Sequence, residues 1–251
     1  FIMASTGETV TYKEFEARSN QLAHFFREEG LKKGDHYSVF MENNNRYLES
    51  NSAGERTGLI YTCINSYLKE EELAYILVNS DAKILITSIS KLDIVKPAVK
   101  QCNILKKILV VGAEGEQLPD GMHDFVTAIS RFPATPIPDE SLGAAMLYSS
   151  GTTGRPKGIL RPLPDQKPDE PLPIMGFLSN LWNYNEDMIY LSPAPLYHSA
   201  PQAANSLAIR KGATTVIMEK FEPFEYLSLI EKYSITHSQL VPTMFSRMLK
   251  L

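Results

Sequence analysis

Apolar positions recur along this chain with two different periods. Short apolar runs such as "HYSVFM", "AKILITS" and "KKILVVG" predict strands buried in a sheet. Between them, segments such as "TYKEFEARSNQLAHFFREEG" and "KEEELAYILVNSD" repeat apolar residues at helical spacing. Strands and helices alternate along the whole chain, which predicts an α/β fold with parallel sheets and helices on both faces.

Four segments fit this pattern less simply. "RYLESNSAGERTG" predicts a helix although Gly54 lies inside it, and "MHDFVTAIS" predicts a short helix. "AAMLYS" predicts a single strand. The stretch "RPLPDQKPDEPLP" holds five prolines and five charged residues. It predicts an exposed linker, because proline interrupts helices and inner strands.

Composition and charge exclude several classes of function. The 251 residues are 43% hydrophobic and carry a formal net charge of −4, so the chain is long enough to bury a sizeable core in one domain or two. Because it has no basic stripe, we do not expect it to bind nucleic acid. No apolar run approaches the roughly 20 residues of a membrane-spanning helix. The first residues also lack the pattern of a signal peptide.

Cysteine usage indicates a reducing compartment. Cys63 and Cys102 do not have the spacing of a metal site or a redox pair. The sequence therefore predicts reduced, buried thiols in a cytoplasmic protein. Peripheral contact with a membrane and a homodimer both stay open.

A glycine-rich stretch, "YSSGTTGRPKG", begins where the predicted strand "AAMLYS" ends. Glycine turns expose several backbone N–H groups in one concavity, which attracts phosphate oxygens, and Lys157 adds a positive charge. By composition alone, a flexible surface turn explains the stretch about equally well. A glycine rather than Ser or Thr follows Lys157. The stretch therefore does not fit the pattern GxxxxGK[ST], and γ-phosphate transfer of the ATPase kind is not indicated.

The same stretch resembles the phosphate-binding signature of the adenylate-forming superfamily, which includes acyl-CoA synthetases, aryl-CoA ligases, luciferases and peptide-synthetase adenylation domains. Other motifs of that family are similar to "TYKEFEARSNQLAHFFREEGLKKGD", "NSYLKEEELAYILVNSDAKILIT", "LSPAPLYHSAP" and "THSQLVPTMFSRML". Ser66 stands where the family usually has proline. The resemblance spans nearly the whole chain, but later family signatures such as Y-G-x-T-E do not occur in it.

The resemblance implies an ATP-dependent acid–thiol ligase. Such an enzyme activates a carboxylate, here expected to be a fatty acid, to an acyl-adenylate and then to acyl-CoA, releasing pyrophosphate and AMP. Its expected cofactors are ATP, Mg²⁺ and coenzyme A as co-substrate. An aryl-CoA ligase and a peptide-synthetase adenylation domain are alternatives within the family. A non-catalytic nucleotide-binding module is the alternative from another class.

The resemblance also implies roles for individual residues. Lys157 and His198 are the expected catalytic residues, with Lys157 on the β- and γ-phosphates and His198, beside Tyr197, orienting the carboxylate. The alternative for His198 is a histidine that only caps the following helix. Trp182 is more simply a core aromatic than part of an acyl tunnel. No metal ligand is assigned in this chain. The expected phosphate-binding residues are Ser149, Ser150, Gly151, Thr152, Thr153, Gly154 and Lys157.

The implied architecture is a truncated acyl-CoA synthetase-like N-terminal domain over residues 1–251, built from two stacked, doubly wound αβαβα subdomains. Residues of about 8–45 and 192–251 are expected in one subdomain and about 46–190 in the other, with the nucleotide cleft between them. The C-terminal domain is absent from the sequence, and the missing half of the same chain is an expected partner. We therefore expect the 251-residue fragment alone to be inactive.

Overall fold

The structure is a computed structural model that describes residues 1–149, 155–170 and 172–251. Contacts between Cα atoms divide the chain into two compact units. Unit 1 comprises Phe1–Tyr12, Glu42–Asn45 and Glu170–Leu251, and unit 2 comprises Lys13–Met41 and Arg46–Asp169.

Helices and strands alternate as the apolar pattern predicts. The helices are α1 (Tyr12–Glu28), α2 (Asn45–Thr57), α3 (Glu70–Asn79), α4 (Leu92–Val99), α5 (Phe125–Ser130), α6 (Pro173–Leu181), α7 (Ser199–Arg210), α8 (Pro223–Tyr233) and α9 (Pro242–Met248). The strands are β1 (Ile2–Met3), β2 (His36–Phe40), β3 (Ile60–Cys63), β4 (Ala82–Ser88), β5 (Lys107–Val111), β6 (Met122–Asp124), β7 (Ala144–Ala145), β8 (Leu147–Ser149), β9 (Lys157–Ile159), β10 (Ile189–Ser192), β11 (Thr214–Ile217) and β12 (His237–Ser238).

Unit 2 contains a six-stranded sheet in the order β6-β5-β4-β2-β3-β7, and all neighbouring strands in it are parallel. Side chains on β2 alternate between two layers of helices. The Tyr37 ring lies 4.6 Å from that of Phe26 on α1. The next residue, Ser38, places its hydroxyl 3.5 Å from the hydroxyl of Ser80, at the end of α3. Helices therefore cover both faces of this sheet, and the predicted α/β class is confirmed.

The inner position of β4 in the sheet explains why its sequence is almost continuously apolar. Every residue of β4 except Lys83 is buried, which is typical of a parallel strand with both faces covered. The core on one face combines side chains of the sheet with those of α3 and α4. Its members include Phe40, Leu73, Ala74, Leu77, Leu85, Val95, Ala98, Ile108 and Val110.

Helix α2 forms despite the glycine in its interior. A Cβ atom at Gly54 would lie 2.8 Å from the ring of Tyr61 and 3.0 Å from that of Tyr37. The glycine therefore lets two buried tyrosine rings approach the helix backbone, and this close packing offsets its low helix propensity.

Two segments of unit 2 differ from the prediction. Only Phe125–Ser130 of "MHDFVTAIS" is helical, because Met122–Asp124 forms β6 and pairs with β5. Asp124 then caps the helix by accepting a hydrogen bond from the Thr127 amide at 2.7 Å. "AAMLYS" is also not one strand. Ala144–Ala145 pairs with β3, and Leu147–Ser149 pairs with β9 in a separate antiparallel hairpin.

The early helix and strand also lie elsewhere than expected. We expected residues 8–45 to join the late part of the chain. Strand β2 instead hydrogen-bonds to β3 and β4, and nearly all of α1 belongs with it to unit 2. Apolar periodicity predicts that a strand exists, but it does not specify which sheet the strand enters.

Unit 1 contains a four-stranded parallel sheet in the order β1-β11-β10-β12. Neighbouring residues of β10 face different cores. Tyr190 packs in a cluster with Leu207 of α7, and Leu191 packs in another with Leu229 of α8 and Met244 of α9. This sheet, too, carries helices on both faces.

The linker expected over residues 161–173 contains no helix or strand before Pro173 in its described part. Two contacts nevertheless attach it to unit 2. The Gln166 carbonyl accepts a hydrogen bond from the Leu142 amide at 2.8 Å, and Asp165 lies 3.4 Å from Lys33 Nζ. In the described ranges 1–149, 155–170 and 172–251, no helix is both long enough and apolar enough to cross a membrane.

Candidate functional site

The candidate phosphate-binding stretch begins and ends on one β-hairpin of unit 2. Strands β8 and β9 pair antiparallel, so that Ser149 lies directly opposite Lys157. Both residues are exposed. The expected ligands Ser150, Gly151, Thr152, Thr153 and Gly154 lie outside the described residues. The ladder thus places a hydroxyl-bearing residue opposite an amine-bearing residue, and such a pair of residue types suits an anionic ligand.

Gly158 provides the space that the hairpin needs beside Lys157. It lies opposite Tyr148 in the ladder. A Cβ atom at position 158 would come within 3.0 Å of Tyr148 Cζ and would collide with the Met146 side chain. Any larger residue here would displace the tyrosine ring that occupies this side of the hairpin.

Helix α3 bonds to β8 and to the residue that directly precedes β9. Burial raises the pKa of Tyr148 to about 12, so its hydroxyl stays protonated and donates to Asn79 Oδ1 at 2.7 Å. The Tyr75 hydroxyl donates to the Pro156 carbonyl at 3.1 Å. The Arg155 guanidinium lies 5.1 Å from the centre of the Tyr75 ring, within cation–π range.

The second candidate residue, His198, belongs to unit 1. Tyr197 and His198 follow β10 and directly precede α7, and their rings lie 4.3 Å apart. Although the side chain of His198 reaches solvent, partial desolvation lowers its pKa. The imidazole is therefore neutral at pH 7, where it donates from one nitrogen and accepts at the other. His198 is the N-cap residue of α7, but its side chain makes no capping hydrogen bond to the helix.

A buried asparagine of unit 1 fixes the segment that leads to His198. Asn43 Nδ2 donates to the carbonyls of Ala194 and Met218, at 3.0 and 2.9 Å. Its Oδ1 accepts from the Leu196 amide at 2.8 Å. These three bonds join the segment that follows β10 to the segment that follows β11. One of the bonded residues, Leu196, lies two positions before His198. A buried amide with three backbone partners holds the local chain path rigidly.

The sequence pattern favoured a core position for Trp182. This prediction is wrong, because the residue is 49% exposed. It stands at the end of α6, and its ring lies 6.2 Å from that of Tyr184. Helical spacing therefore identified the helix correctly but not the environment of this tryptophan.

Among the residues that the structure describes, no group of three or more His, Cys, Asp or Glu side chains is placed to hold a metal ion. Mg²⁺ typically binds through one or two carboxylates together with substrate phosphates. Its presence stays a prediction.

Comparison with known protein families assigns the chain. A family described as "AMP-binding enzyme" matches residues 1–251. The chain belongs to the AMP-binding enzyme family. The assignment confirms the resemblance that "YSSGTTGRPKG" indicated, and it extends over both units.

Two curated relatives show which part of such a protein this AMP-binding chain represents. 4-Coumarate–CoA ligase 1 of Petroselinum crispum is 29% identical over 246 residues, which are 96% of this chain and 44% of the relative. Crotonobetaine/carnitine–CoA ligase of Salmonella typhimurium is 29% identical over 245 residues, covering 93% and 45%. The chain therefore spans less than half the length of these relatives.

Solved structures support the fold. The anthranilate CoA ligase AuaEII, crystallised with anthranoyl-AMP, superposes with a TM-score of 0.84 at 23% identity, over 100% of this chain and 48% of that chain. ATP-bound MatB from Rhodopseudomonas palustris superposes with a TM-score of 0.77 at 25% identity, with the same coverage of 100% and 48%. Both chains contain the AMP-binding fold over the whole of this sequence.

Sequence motifs indicate the exposed candidate residues but not the residues that hold them in place. Ser149, Lys157 and His198 stand in short recognisable motifs. Tyr75 and Asn43 had no such signal, because each acts through backbone groups far away in the chain, as in the Tyr75–Pro156 bond across 81 positions. Their burial or half-burial as polar residues becomes visible only in the folded structure.

Proposed function

We propose that the protein containing this chain is an acid–thiol ligase that activates a carboxylate with ATP. A carboxylate oxygen attacks the α-phosphorus of ATP, and the bond to the leaving pyrophosphate breaks, which gives an acyl-adenylate. The thiol sulfur of coenzyme A then attacks the acyl carbon and releases AMP. The observation that carries this proposal is the pairing of Ser149 with Lys157 across the hairpin, on either side of the glycine-rich stretch.

Lys157 would act during the first step. Negative charge accumulates on the departing pyrophosphate, and a fixed ammonium group stabilises that charge more in the transition state than in the ground state. Ser149 would add a hydroxyl donor. When bound, Mg²⁺ supplies further charge neutralisation on the phosphate oxygens. The remaining proposed phosphate contacts are Ser150, Gly151, Thr152, Thr153 and Gly154.

His198 would orient the carboxylate. Its lowered pKa makes it a neutral hydrogen-bond donor near pH 7, so it positions the attacking oxygen without neutralising it. Asn43 supports this role, because it fixes Leu196 two residues earlier.

The substrate class is the finer part of the proposal. The sequence resemblance led us to a fatty acid, whereas the two relatives described above are named for 4-coumarate and for crotonobetaine or carnitine. These names favour testing aryl and short polar carboxylates beside fatty acids. We also propose a cytoplasmic location, since both cysteines are free and buried.

The test uses the complete protein that contains this chain and a panel of carboxylates. Each acid is measured for carboxylate-dependent exchange of labelled pyrophosphate into ATP and then for thioester formation with coenzyme A. We expect both activities with at least one class of acid. Nucleotide binding without exchange for any acid would instead support the non-catalytic nucleotide-binding module.

The 251-residue chain alone should not complete the reaction. More than half of the length of its relatives lies outside the aligned region. The expected ribose and adenine contacts belong to this unaligned part. Each lost hydrogen bond to a charged ligand costs about 1.5–3 kcal/mol, so we expect weak ATP binding in calorimetry and no acyl-CoA. Micromolar binding or robust turnover by the isolated chain would contradict this expectation.

A further inference from the structure

One face of α3 holds β8 and the start of the opposite side of the hairpin, just before Lys157. Tyr75 and Asn79 stand four residues apart, one helical turn, and therefore project from the same side of the helix. Asn79 accepts from Tyr148 on β8, whereas Tyr75 donates to Pro156, which directly precedes β9. The two sides of the hairpin are thus attached separately to one helix.

This helix is a rigid support. Its residues Leu73, Ala74, Ile76 and Leu77 are buried in the core on one face of the six-stranded sheet. The rings of Tyr75 and Tyr148 pack against the same core cluster. A close-packed core deforms little. Helix α3 therefore gives the hairpin a fixed position relative to the sheet.

The Tyr75 contact lies immediately beside the proposed catalytic lysine. Its hydroxyl bonds to the carbonyl of Pro156, the peptide unit that continues into Lys157. The same ring carries the Arg155 guanidinium. Lys157 itself is exposed, and a flexible four-carbon side chain reaches a defined point only when its backbone is fixed.

We propose that Tyr75 is a positioning residue for Lys157: its hydroxyl fixes the Pro156 carbonyl and thereby places the Lys157 ammonium against the pyrophosphate of ATP. The proposal rests on the proposed function, because it assigns Tyr75 a part in the adenylation step. Asn79 and Tyr148 hold the opposite strand in the same way, which keeps Ser149 facing Lys157.

A purely structural role would have a different signature. The hairpin has only two strands of three residues, and such a hairpin adds little to global stability. Loss of one hydrogen bond at its edge should therefore leave the melting temperature nearly unchanged. The effect should appear where Lys157 acts, in the step that releases pyrophosphate.

The test is Tyr75→Phe in the complete protein, since phenylalanine keeps the ring under Arg155 and removes only the donor. The matched control is Tyr67→Phe, because Tyr67 is 66% exposed and its ring also lies near a cation, Lys91. We expect Tyr75→Phe to lower kcat/KM for ATP in pyrophosphate exchange by about three- to tenfold, as for the loss of one hydrogen bond. The KM for the carboxylate and the melting temperature should not change, and Tyr67→Phe should match the wild type.

A double-mutant cycle separates action through Lys157 from any other cause. In a Lys157→Ala background, Tyr75→Phe should have almost no further effect, because the group that it positions is gone. An undiminished loss in that background would overturn the proposal. So would unchanged exchange in the single variant, or a loss accompanied by a lower melting temperature and a raised KM for the carboxylate.

The wild-type measurement distinguishes failure of this inference from failure of the proposed function. If the wild type shows no exchange with any carboxylate, the ligase assignment fails and the positioning role fails with it. If the wild type exchanges normally and Tyr75→Phe equals it, the ligase assignment stands and the positioning role alone is overturned.

Discussion

Strand β4 and the β8–β9 hairpin are both extended segments of unit 2, but they place their side chains in opposite environments. All of β4 except Lys83 is buried, whereas Ser149 and all three residues of β9 are exposed. The one amine on β4 is paired, because Lys83 Nζ lies 2.6 Å from Asp35. The amine of Lys157 is instead carried on an exposed strand, opposite the hydroxyl-bearing residue Ser149.

This contrast shows how the fold separates stability from chemistry. The buried strand fixes the sheet, and the exposed hairpin presents groups that a ligand can reach. The two are linked through α3, which packs in the core and bonds to β8 and to the residue before β9. Substitutions in the two regions should therefore affect different measurements.

The largest effect is expected at Lys157 in the complete protein. Lys157→Ala should slow pyrophosphate exchange about 10²- to 10³-fold, about 3–4 kcal/mol, as for loss of one preorganised charge-stabilising donor. The control is Lys96→Ala, since Lys96 is an exposed lysine on α4 of the same unit. Both variants should keep the melting temperature of the wild type. An unchanged exchange rate for Lys157→Ala would remove this residue from the mechanism.

The converse effect is expected in β4. Leu85→Ala removes a fully buried side chain from the core and should lower the free energy of unfolding by about 2–5 kcal/mol. Leu227→Ala is the control because Leu227 is 45% exposed. In chemical denaturation the control should change little. Equal destabilisation by the two variants would mean that burial does not determine which region carries stability.

A smaller, selective effect is expected at His198. His198→Ala should raise the KM for the carboxylate about tenfold, roughly 1.4 kcal/mol, because one hydrogen bond to a charged group is lost. The KM for ATP should stay constant, and His123→Ala serves as a control on an unassigned histidine. A raised KM for ATP alone would assign His198 to the nucleotide rather than to the carboxylate.

The smallest effect concerns acid stability away from the hairpin. A hydrogen bond from Arg56 lowers the pKa of Glu16 below its ordinary 4.5. Its stabilisation is therefore complete above pH 4.5 and is lost as the pH falls through the lowered pKa. Glu16→Gln should cost only about 0.5 kcal/mol at pH 7, since the pair is partly exposed. It should also flatten the loss of stability below pH 4.5, whereas Glu114→Gln at an exposed site should not. A steeper loss of stability with falling pH in Glu16→Gln than in the wild type would contradict this expectation.

Much of the fold follows from local sequence signals. Apolar runs identify strands such as β4, and helical spacing with an apolar face identifies α1 and α3, because these patterns reflect burial directly. The same signals predict short elements less well. Met122–Asp124 forms a strand because it pairs with the edge of β5. No residue within the segment itself indicates that this edge is available.

The site shows the same limit. Glycines, hydroxyls and Lys157 within eleven residues indicate phosphate chemistry, since the ligand imposes a local pattern. The supporting contacts of Tyr75 and Asn79 connect positions that only folding brings together. The pattern also cannot tell which sheet β2 joins, because the partner of a strand depends on pairing rather than on its own apolar content.

The most direct test of the ligase assignment follows one oxygen atom. The complete protein is given ATP, coenzyme A and a carboxylate labelled with ¹⁸O in both oxygens, and the products are analysed by mass spectrometry. Attack of the carboxylate on the α-phosphorus predicts one ¹⁸O atom in AMP, one in the thioester and none in pyrophosphate. Formation of ADP, or of AMP without label, would contradict the proposal that this AMP-binding chain serves carboxylate activation.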